Sequence, residues 1–342
     1  MRTKIIITIG PKSEDLETLT PLLIAGADIV RVNFSHASEA QYKRVRKIIS
    51  DYNKKADKDI KMLLDLQGPR IRVGKMPVGG IELDDGEIYK FSYSKKPYEV
   101  GGVIPIDNED LSKDMKKGHP LFLCNGEIEL DVVKISGKII TGKVIHGGIL
   151  TSNKAINVPD TNMRKGGLTG KDIKDLNFGL RAGVEYIGLS FVQKASDIAK
   201  LKKLLGKKTS IKVIAKIERG IALKNIDRII KASDFIMIAR GDLGIETPIE
   251  DLPLVQKDLI RHAHWHLTPA IIATQVMTSM LKNPVPTRAE VSDIANAVLD
   301  GADAIMLSDE TSVGENGLAA VKMLKKVIYR TESHIQKTYI NF

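Results

Sequence analysis

Ala25-Gly-Ala-Asp-Ile-Val30 is a joint of small residues that leads through an acidic residue into an apolar run. Similar joints recur at Ala182-Gly-Val-Glu-Tyr-Ile187, Lys231-Ala-Ser-Asp-Phe-Ile236 and Asp300-Gly-Ala-Asp-Ala-Ile305. A helix that ends at a small residue and passes directly into a β-branched run is typical of the helix-to-strand half of a parallel βα unit. The repeat therefore predicts a parallel sheet.

Eight apolar runs of this kind lie along the chain, and amphipathic stretches separate most of them. The runs are Ile5–Gly10, Ile29–Phe34, Lys61–Leu66, Tyr186–Phe191, Lys212–Ile217, Phe235–Arg240, Ala270–Gln275 and Ala304–Asp309. Eight parallel strands, each followed by a helix, make a (β/α)8 barrel of about 250 residues. The sequence therefore predicts an α/β fold of the TIM-barrel type.

The connection between the third and fourth runs carries about 90 residues more than a barrel crossover of roughly 30 residues needs. From Gly68 to about Asn157 it holds short alternating segments, such as Glu87–Tyr93 and Ile139–Ile145, separated by glycine turns. We therefore expect a small β-rich domain inserted after the third strand. The predicted division is barrel at 1–68, insert at 69–157 and barrel at 158–342.

Composition narrows the class of protein. Lys and Arg number 52 against 42 Asp and Glu, and the net charge of +10 favours anionic partners. The basic residues alternate with acidic ones and lack aromatic neighbours, so we expect a phosphorylated small molecule and no nucleic acid. The single cysteine, Cys124, excludes an internal disulfide, and no apolar run is long enough to span a bilayer. We expect a folded cytoplasmic protein that binds no membrane.

Polar residues follow the predicted strands, at the end where barrel active sites lie. Lys216 and Glu218 alternate with Ile217, so their side chains share one face. Asp242 follows the next strand, and two neighbouring carboxylates suit Mg²⁺ or Mn²⁺. Gly241 lets a backbone N–H approach an anion. For Lys216 and Glu218 alone, a plain ion pair that closes the barrel top is an equal alternative.

Seven motifs in order resemble those of the pyruvate kinase family, along essentially the whole chain. They are Arg31-Val-Asn-Phe-Ser-His36, Asp65-Leu-Gln-Gly-Pro-Arg-Ile-Arg72, Ile214-Ala-Lys-Ile-Glu218, Ala239-Arg-Gly-Asp-Leu-Gly-Ile-Glu246, Ala273-Thr-Gln275, Pro286-Thr-Arg-Ala-Glu290 and Met306-Leu-Ser308 with Glu310-Thr311. The resemblance implies a metal-dependent, in-line phosphoryl transfer from phosphoenolpyruvate to ADP, followed by protonation of the enolate to pyruvate.

By matching positions, the resemblance also implies a role for individual residues. Glu218 and Asp242 would hold the divalent metal, and Lys216 would neutralise charge on the transferring phosphoryl group and the enolate oxygen. Arg31 and Arg72 would be catalytic residues that grip phosphate. Thr274 would act on the side where the enolate is protonated. The remaining matches are substrate contacts at Arg31, Lys216, Gly241, Asp242, Thr274 and Ser308, nucleotide contacts at Arg31, Asn33, His36, Arg72 and Lys171, and monovalent-cation positions at Asn33, Ser35 and Asp65.

Leu66 and Arg70 resemble the subset of the family that works without potassium. A guanidinium at position 70 would supply the fixed positive charge that a bound K⁺ supplies elsewhere. We therefore expect that K⁺ is not required. The alternative is that Arg70 faces solvent at the hinge between barrel and insert.

The sequence also departs from the family pattern. Asn125 stands where an acidic residue is usual, and Asp160 and Asp309 stand where glycine is usual. The chain ends at Phe342, whereas family members usually continue into a C-terminal domain with effector sites. We therefore expect simple saturation kinetics without allosteric activation. Whether the chain forms a homo-oligomer through the barrel stays an open question.

Two other functions stay open at this stage. A metal-dependent aldolase that handles pyruvate or an enolate would share the two carboxylates, and a non-catalytic relative would bind a ligand or partner only. A metal site at His262-Ala-His264-Trp-His266 is a weaker interpretation, since only His262 and His266 share a helical face and no carboxylate completes the set.

Overall fold

The computed structural model describes residues 2–164, 166–206 and 210–340, with the side chains of 338–340 left out. Two helices separate the first three strands of the chain. These elements are β1 (Lys4–Thr8), α1 (Leu16–Ala25), β2 (Ile29–Asn33), α2 (Glu39–Ala56) and β3 (Lys61–Asp65).

The chain then leaves the barrel and forms nine further strands and one short helix before it returns. In order they are β4 (Ile71–Arg72), β5 (Ile81–Leu83), β6 (Ile88–Tyr93), β7 (Ile104–Ile106), α3 (Leu111–Asp114), β8 (Pro120–Leu123), β9 (Ile128–Ser136), β10 (Ile139–His146), β11 (Gly148–Leu150) and β12 (Ala155–Asn157). A single 3₁₀ turn at Cys124–Gly126 joins β8 to β9.

The remaining chain alternates strands and helices again. Its elements are α4 (Gly170–Ala182), β13 (Tyr186–Leu189), α5 (Ala195–Leu205), β14 (Lys212–Ile217), α6 (Gly220–Leu223), α7 (Ile226–Ala232), β15 (Phe235–Ala239), α8 (Arg240–Glu246), α9 (Leu252–Trp265), β16 (Ala270–Ala273), α10 (Arg288–Leu299), β17 (Ala304–Leu307), α11 (Asp309–Ser312) and α12 (Gly317–Ile340). A 3₁₀ turn at Thr278–Leu281 lies between β16 and α10.

Eight parallel strands close into a barrel in the order β1-β17-β16-β15-β14-β13-β3-β2. The strand β1 closes the ring, because it pairs with β17 through Lys4 and Ala304 and with β2 through Ile6 and Ile29. Each strand lies within a predicted run or begins one residue before it, and the strands end up to two residues earlier than predicted. The predicted fold class, a (β/α)8 barrel with a β-rich insert after the third strand, is confirmed.

Alternating side chains of the barrel strands make two apolar layers. Ile6, Leu63, Met237 and Met306 point to the inside of the barrel, where they form one buried cluster. Their neighbours along the strands, such as Ile5 and Ile7, belong to the larger cluster between the sheet and the helices. A barrel filled in this way leaves space for a ligand only above its strand ends.

The insert has a core of its own. Its larger sheet runs in the order β4-β12-β8-β9-β10-β6-β7, with β5 and β11 forming a separate antiparallel pair. Phe91, Leu121, Leu130 and Val144 are among the buried residues of this core. The exact boundaries between barrel and insert, after residue 68 and after residue 157, stay a prediction.

No helix in the described ranges is long and apolar enough to cross a membrane.

Candidate active site

A cavity of about 850 Å³ opens at the carboxyl ends of the barrel strands. Most of the residues that the sequence marks as candidates line it. They are Arg31, Asn33, Ser35, His36, Arg70, Lys216, Glu218, Asp242, Thr274 and Ser308. The strand ends that carry them come from both sides of the insertion, so barrel closure brings together residues that are far apart in sequence.

Lys216 stands at the centre of a buried network beside this cavity. Its Nζ lies 2.9 Å from Oε1 of Glu218, 3.2 Å from Oδ2 of Asp65 and 2.8 Å from Oγ of Ser190. Arg31 contacts the same Oδ2 of Asp65, with its Nη2 at 2.7 Å. The lysine is thus fixed by three neighbours, and its ammonium group has little freedom to move.

Each charge in this network changes the pKa of its neighbours. Burial alone would raise the pKa of the Asp65 carboxyl, but Lys216 and Arg31 outweigh burial and hold that pKa below its usual range. Burial would lower the pKa of Lys216, and the opposing charges of Asp65 and Glu218 raise it above its usual value. Lys216 is therefore a permanent cation at the bottom of the cavity.

Glu218 and Asp242 form a carboxylate pair at the ends of two adjacent strands, β14 and β15. Burial raises the pKa of Glu218, Lys216 opposes that rise, and the negative charge of Asp242 adds to it. Oε2 of Glu218 accepts a hydrogen bond from the Phe191 N–H at 2.6 Å, and Oδ1 of Asp242 lies 2.6 Å from Nη2 of Arg70. The mutual repulsion of two such carboxylates is what a divalent cation would relieve.

In the part of the chain that the structure describes, no group of three or more His, Cys, Asp and Glu side chains is placed to hold a metal ion. A cation at Glu218 and Asp242 would take its remaining ligands from substrate oxygens and water, which is typical of Mg²⁺. The two carboxylates and the open cavity beside them fit such an ion.

Thr274 occupies a strained position directly after β16. Its φ is 67° and that of Gln275 is 52°, a region that a β-branched residue rarely enters. Nη2 of Arg240 donates to the carbonyl oxygens of both residues at 3.0 Å. The Gly241 N–H donates to Oγ1 of Thr274 at 2.7 Å, so Gly241 and Thr274 are brought into direct contact.

The proposed monovalent-cation positions lie around the buried network. Asn33 and Ser35 line the cavity, with the Ser35 N–H donating to Oδ1 of Asn33. Oδ2 of Asp65 is occupied by Arg31 and Lys216, while its Oδ1 is buried and has no hydrogen-bond partner among the described residues. Leu66 is buried, and its carbonyl accepts a hydrogen bond from the Ser190 hydroxyl.

Two predicted nucleotide contacts are not among the residues lining the cavity. Arg72 lies in β4, where its Nη1 donates to the Asn153 carbonyl at 2.8 Å. Lys171 lies at the start of α4, with its Nζ 2.5 Å from the Phe34 carbonyl and 2.6 Å from Oδ2 of Asp175. Arg72 is therefore directed to the insert, and Lys171 lies beside the β2 end of the cavity.

Sequence reasoning missed Ser190 and Phe191. Both follow β13 and line the cavity, and they hold Lys216 and Glu218 through the contacts given above. Their signal was available, because Ser190-Phe191 ends the predicted fourth run.

The three residues that depart from the family pattern lie in different parts of the structure. Asn125 has a left-handed conformation (φ 60°) in the turn after β8, Asp160 is exposed with the same φ, and Asp309 lines the cavity at the start of α11.

His262 and His266 share a helical face, as predicted, and both contact Oδ1 of Asp227 on α7, at 2.8 and 3.3 Å. The expectation that no carboxylate accompanies these histidines is wrong, because folding brings Asp227 to both of them. The described residues still include no group of three or more that is placed to hold a metal ion.

A closed barrel with a buried lysine and a carboxylate pair at its strand ends has the features of an enzyme that acts on a small anionic substrate. A family model described as pyruvate kinase, barrel domain, matches residues 1–321. The chain therefore belongs to the pyruvate kinase family. It is an enzyme, a phosphotransferase, as the sequence predicts.

Individual relatives agree with the family match. A pyruvate kinase of Thermococcus litoralis is 41% identical over 97% of the chain, and one of Agrobacterium vitis is 39% identical over 97%. A pyruvate kinase of Geobacillus stearothermophilus is 41% identical over 98% of the chain. The chain spans 70%, 69% and 58% of these three relatives, in that order.

Proposed function

We propose that this chain transfers the phosphoryl group of phosphoenolpyruvate to ADP, with Mg²⁺ or Mn²⁺ held by Glu218 and Asp242, and that it then protonates the enolate to pyruvate. The observation that carries this proposal is the buried ammonium of Lys216, which lies between Glu218 and Asp65 beside a large cavity lined by several charged side chains. A fixed cation at that point is what a developing negative charge needs.

In the transfer step, the bond between the enol oxygen and phosphorus breaks while a β-phosphate oxygen of ADP bonds to phosphorus. Arg31 and Lys216 stabilise charge on the phosphoryl and enolate oxygens from the β2 and β14 ends. When bound, the divalent ion would neutralise part of the same charge. Because Arg31 and Lys216 are held by Asp65, they need little reorganisation when the charge moves.

The enolate left by this step then takes a proton at carbon. We assign Thr274 to that side of the substrate, because it lines the cavity and its hydroxyl is fixed between the Gly241 N–H at 2.7 Å and the Ala273 carbonyl at 2.6 Å. We assign the substrate carboxylate to Ser308, whose buried Oγ has no hydrogen-bond partner within the described chain, and to the Gly241 N–H, which would exchange its bond with Oγ1 of Thr274 for one with the carboxylate.

The nucleotide would approach from the β2 side. His36 and Asn33 line the cavity there, and Lys171 lies next to them through its bond to the Phe34 carbonyl. Arg72 stands at the base of the insert and would contribute when the insert carries the nucleotide over the cavity. These four residues, with Arg31, remain our proposed nucleotide contacts.

We also propose that K⁺ is not required. The support is the contact between Arg70 and Asp242, at 2.6 Å, which brings a fixed positive charge into the cavity instead of leaving it in solvent. Cytoplasmic location, simple saturation without allosteric activation, and assembly through the barrel remain predictions.

A coupled assay for ATP formation from phosphoenolpyruvate and ADP, with and without Mg²⁺, tests this proposal. Lys216→Met serves as the inactive control, because it removes the central cation and keeps the length of the side chain. Absence of ATP formation by the unmodified chain in Mg²⁺ and Mn²⁺ would reject the proposal and leave a non-catalytic or aldolase-type relative.

A further inference from the structure

A second buried ion pair lies outside the cavity, where the insert joins the barrel. Nε of Arg219 is 3.0 Å from Oε2 of Glu246, and both side chains are less than a tenth exposed. Nothing in the proposed chemistry uses this pair. Burying two charges is costly unless their remaining polar atoms are also bonded, so its other contacts indicate its role.

The other contacts of Arg219 go to the segment that returns from β12 to the barrel, residues 158–164, which we call the return segment. One guanidinium nitrogen, Nη2, donates to the carbonyls of Val158 at 2.9 Å and Thr161 at 2.8 Å. The barrel also holds this segment through Gln193, whose Oε1 accepts the Met163 N–H at 3.0 Å. The barrel therefore holds the return segment through two side chains, Arg219 at Val158 and Thr161 and Gln193 at Met163.

The opposite face of the return segment is bonded to the insert. Oγ1 of Thr161 lies 3.0 Å from Nδ1 of His119, and Nε of Arg164 lies 3.1 Å from Oδ1 of the buried Asp114. His119 and Asp114 both precede β8. A displacement of the return segment therefore moves this part of the insert with it.

The same ion pair is connected to both carboxylates of the candidate metal site. Arg219 directly follows Glu218, and Glu246 ends the helix α8, whose first turn carries Asp242. The insert meets α8 a second time, because a Cβ on Gly126 would lie 3.5 Å from the side chain of Ile245. Arg219 and Glu246 thus join the root of the insert to the two elements that bear the carboxylates.

We propose that Arg219 is a positioning residue that sets the orientation of the insert relative to Glu218 and Asp242, so that a nucleotide under the insert meets the phosphoryl group in line. This inference rests on the proposed function. A guanidinium is suited to the task because its planar fork can bond a carboxylate and two carbonyls together, which an ammonium on a flexible stem does less well.

The proposal predicts an unequal effect on the two substrates. Phosphoenolpyruvate would contact barrel residues only, whereas ADP would also depend on where the insert stands. Arg219→Met should raise the KM for ADP about tenfold, the scale of one or two lost hydrogen bonds, and change the KM for phosphoenolpyruvate by less than about threefold. Arg219→Lys, which keeps the charge opposite Glu246, should recover part of the loss.

The matched control is Arg46→Met, which removes an arginine whose Nη1 lies 2.6 Å from Glu185 at the other end of the barrel. It should leave both KM values unchanged. Hydrogen exchange supplies a readout that needs no turnover: Arg219→Met should speed exchange in residues 111–119 and 158–164 and leave the barrel strands protected.

Equal rises in both KM values, or unchanged exchange in the return segment, would overturn the proposal. Faster exchange throughout the barrel would also overturn it, because Arg219 would then act on stability alone. If the unmodified chain forms no ATP, the proposed function fails, and hydrogen exchange together with calorimetric ADP binding still decides whether Arg219 positions the insert.

Discussion

The barrel and the insert hold charged side chains in different ways. At the barrel top, Arg31, Asp65 and Lys216 are at most a tenth exposed, and both cations contact Oδ2 of Asp65. On the insert, Lys138 and Glu109 are 3.6 Å apart, with 66% and 59% of their side chains exposed. Removal of one barrel charge leaves a buried partner unpaired, whereas removal of one insert charge leaves a partner in water.

The difference indicates where chemistry is built into this chain. Buried charges keep fixed positions and are only weakly screened, so the barrel top can stabilise a transferring group. The exposed charges of the insert, such as Lys138 and Glu109, are screened by solvent and salt. Its exception is Asp114, which is buried where the insert contacts the return segment. Its partner Arg164 is 69% exposed, so only one side of this pair is buried, unlike the pairs at the barrel top.

The largest effect is expected at Glu218. Glu218→Gln removes one of two carboxylates from the candidate metal site and should reduce Mg²⁺-dependent ATP formation by about two to three orders of magnitude. Glu82→Gln, on the exposed surface of the insert, is the matched control and should change nothing. Steady-state rates over a Mg²⁺ titration check this, and full activity of Glu218→Gln at ordinary Mg²⁺ would reject the metal assignment.

A large effect on stability is expected at Arg31. Arg31→Met leaves Asp65 buried with Lys216 as its remaining cation, and loss of one partner from a buried network costs about 3 kcal/mol in the free energy of unfolding. Urea unfolding followed by circular dichroism measures it. A loss below about 1 kcal/mol would mean that water or a small shift of Lys216 compensates, and the contrast between barrel and insert would weaken.

A smaller, ion-specific effect is expected at Arg70. Arg70→Glu replaces the cation beside Asp242 by a carboxylate, so it should lower the rate about tenfold in tetramethylammonium, with partial recovery in K⁺. Rates of the mutant and the unmodified chain are compared in the two salts at matched ionic strength, with Arg70→Lys as the charge-preserving control. Strong stimulation of the unmodified chain by K⁺ would contradict the prediction.

The fold could be predicted from sequence because its signal is local and repeated. Each joint such as Ala25-Gly-Ala-Asp places a small residue and a carboxylate before a β-branched run, and each run became a strand. The position of Lys216 beside Glu218 followed from strand alternation alone.

Side-chain partners were less predictable, because they depend on rotamers and on how distant elements pack. Arg70 and Asp242 are 172 residues apart in sequence, and no pattern near either one indicates their contact. The direction of Arg72 depends in the same way on the bends between β3 and β4. Ser190 differs from these residues, because the predicted fourth run already places it at a strand end, and only its contacts with Lys216 and the Leu66 carbonyl depend on packing.

The smallest effect is expected at Lys138, in the turn between β9 and β10. Its ammonium is exposed and 3.6 Å from Glu109, so its attraction is screened and offset by the entropy of holding two long side chains. The hydrogen bond from Ser92 to this residue uses the backbone carbonyl and survives substitution. Lys138→Ala should therefore change the free energy of unfolding by less than about 0.5 kcal/mol and leave the KM for ADP unaltered. Urea unfolding at low and high salt, beside Arg31→Met, checks this. A salt-dependent loss above about 1 kcal/mol would show that the insert depends on its surface charges.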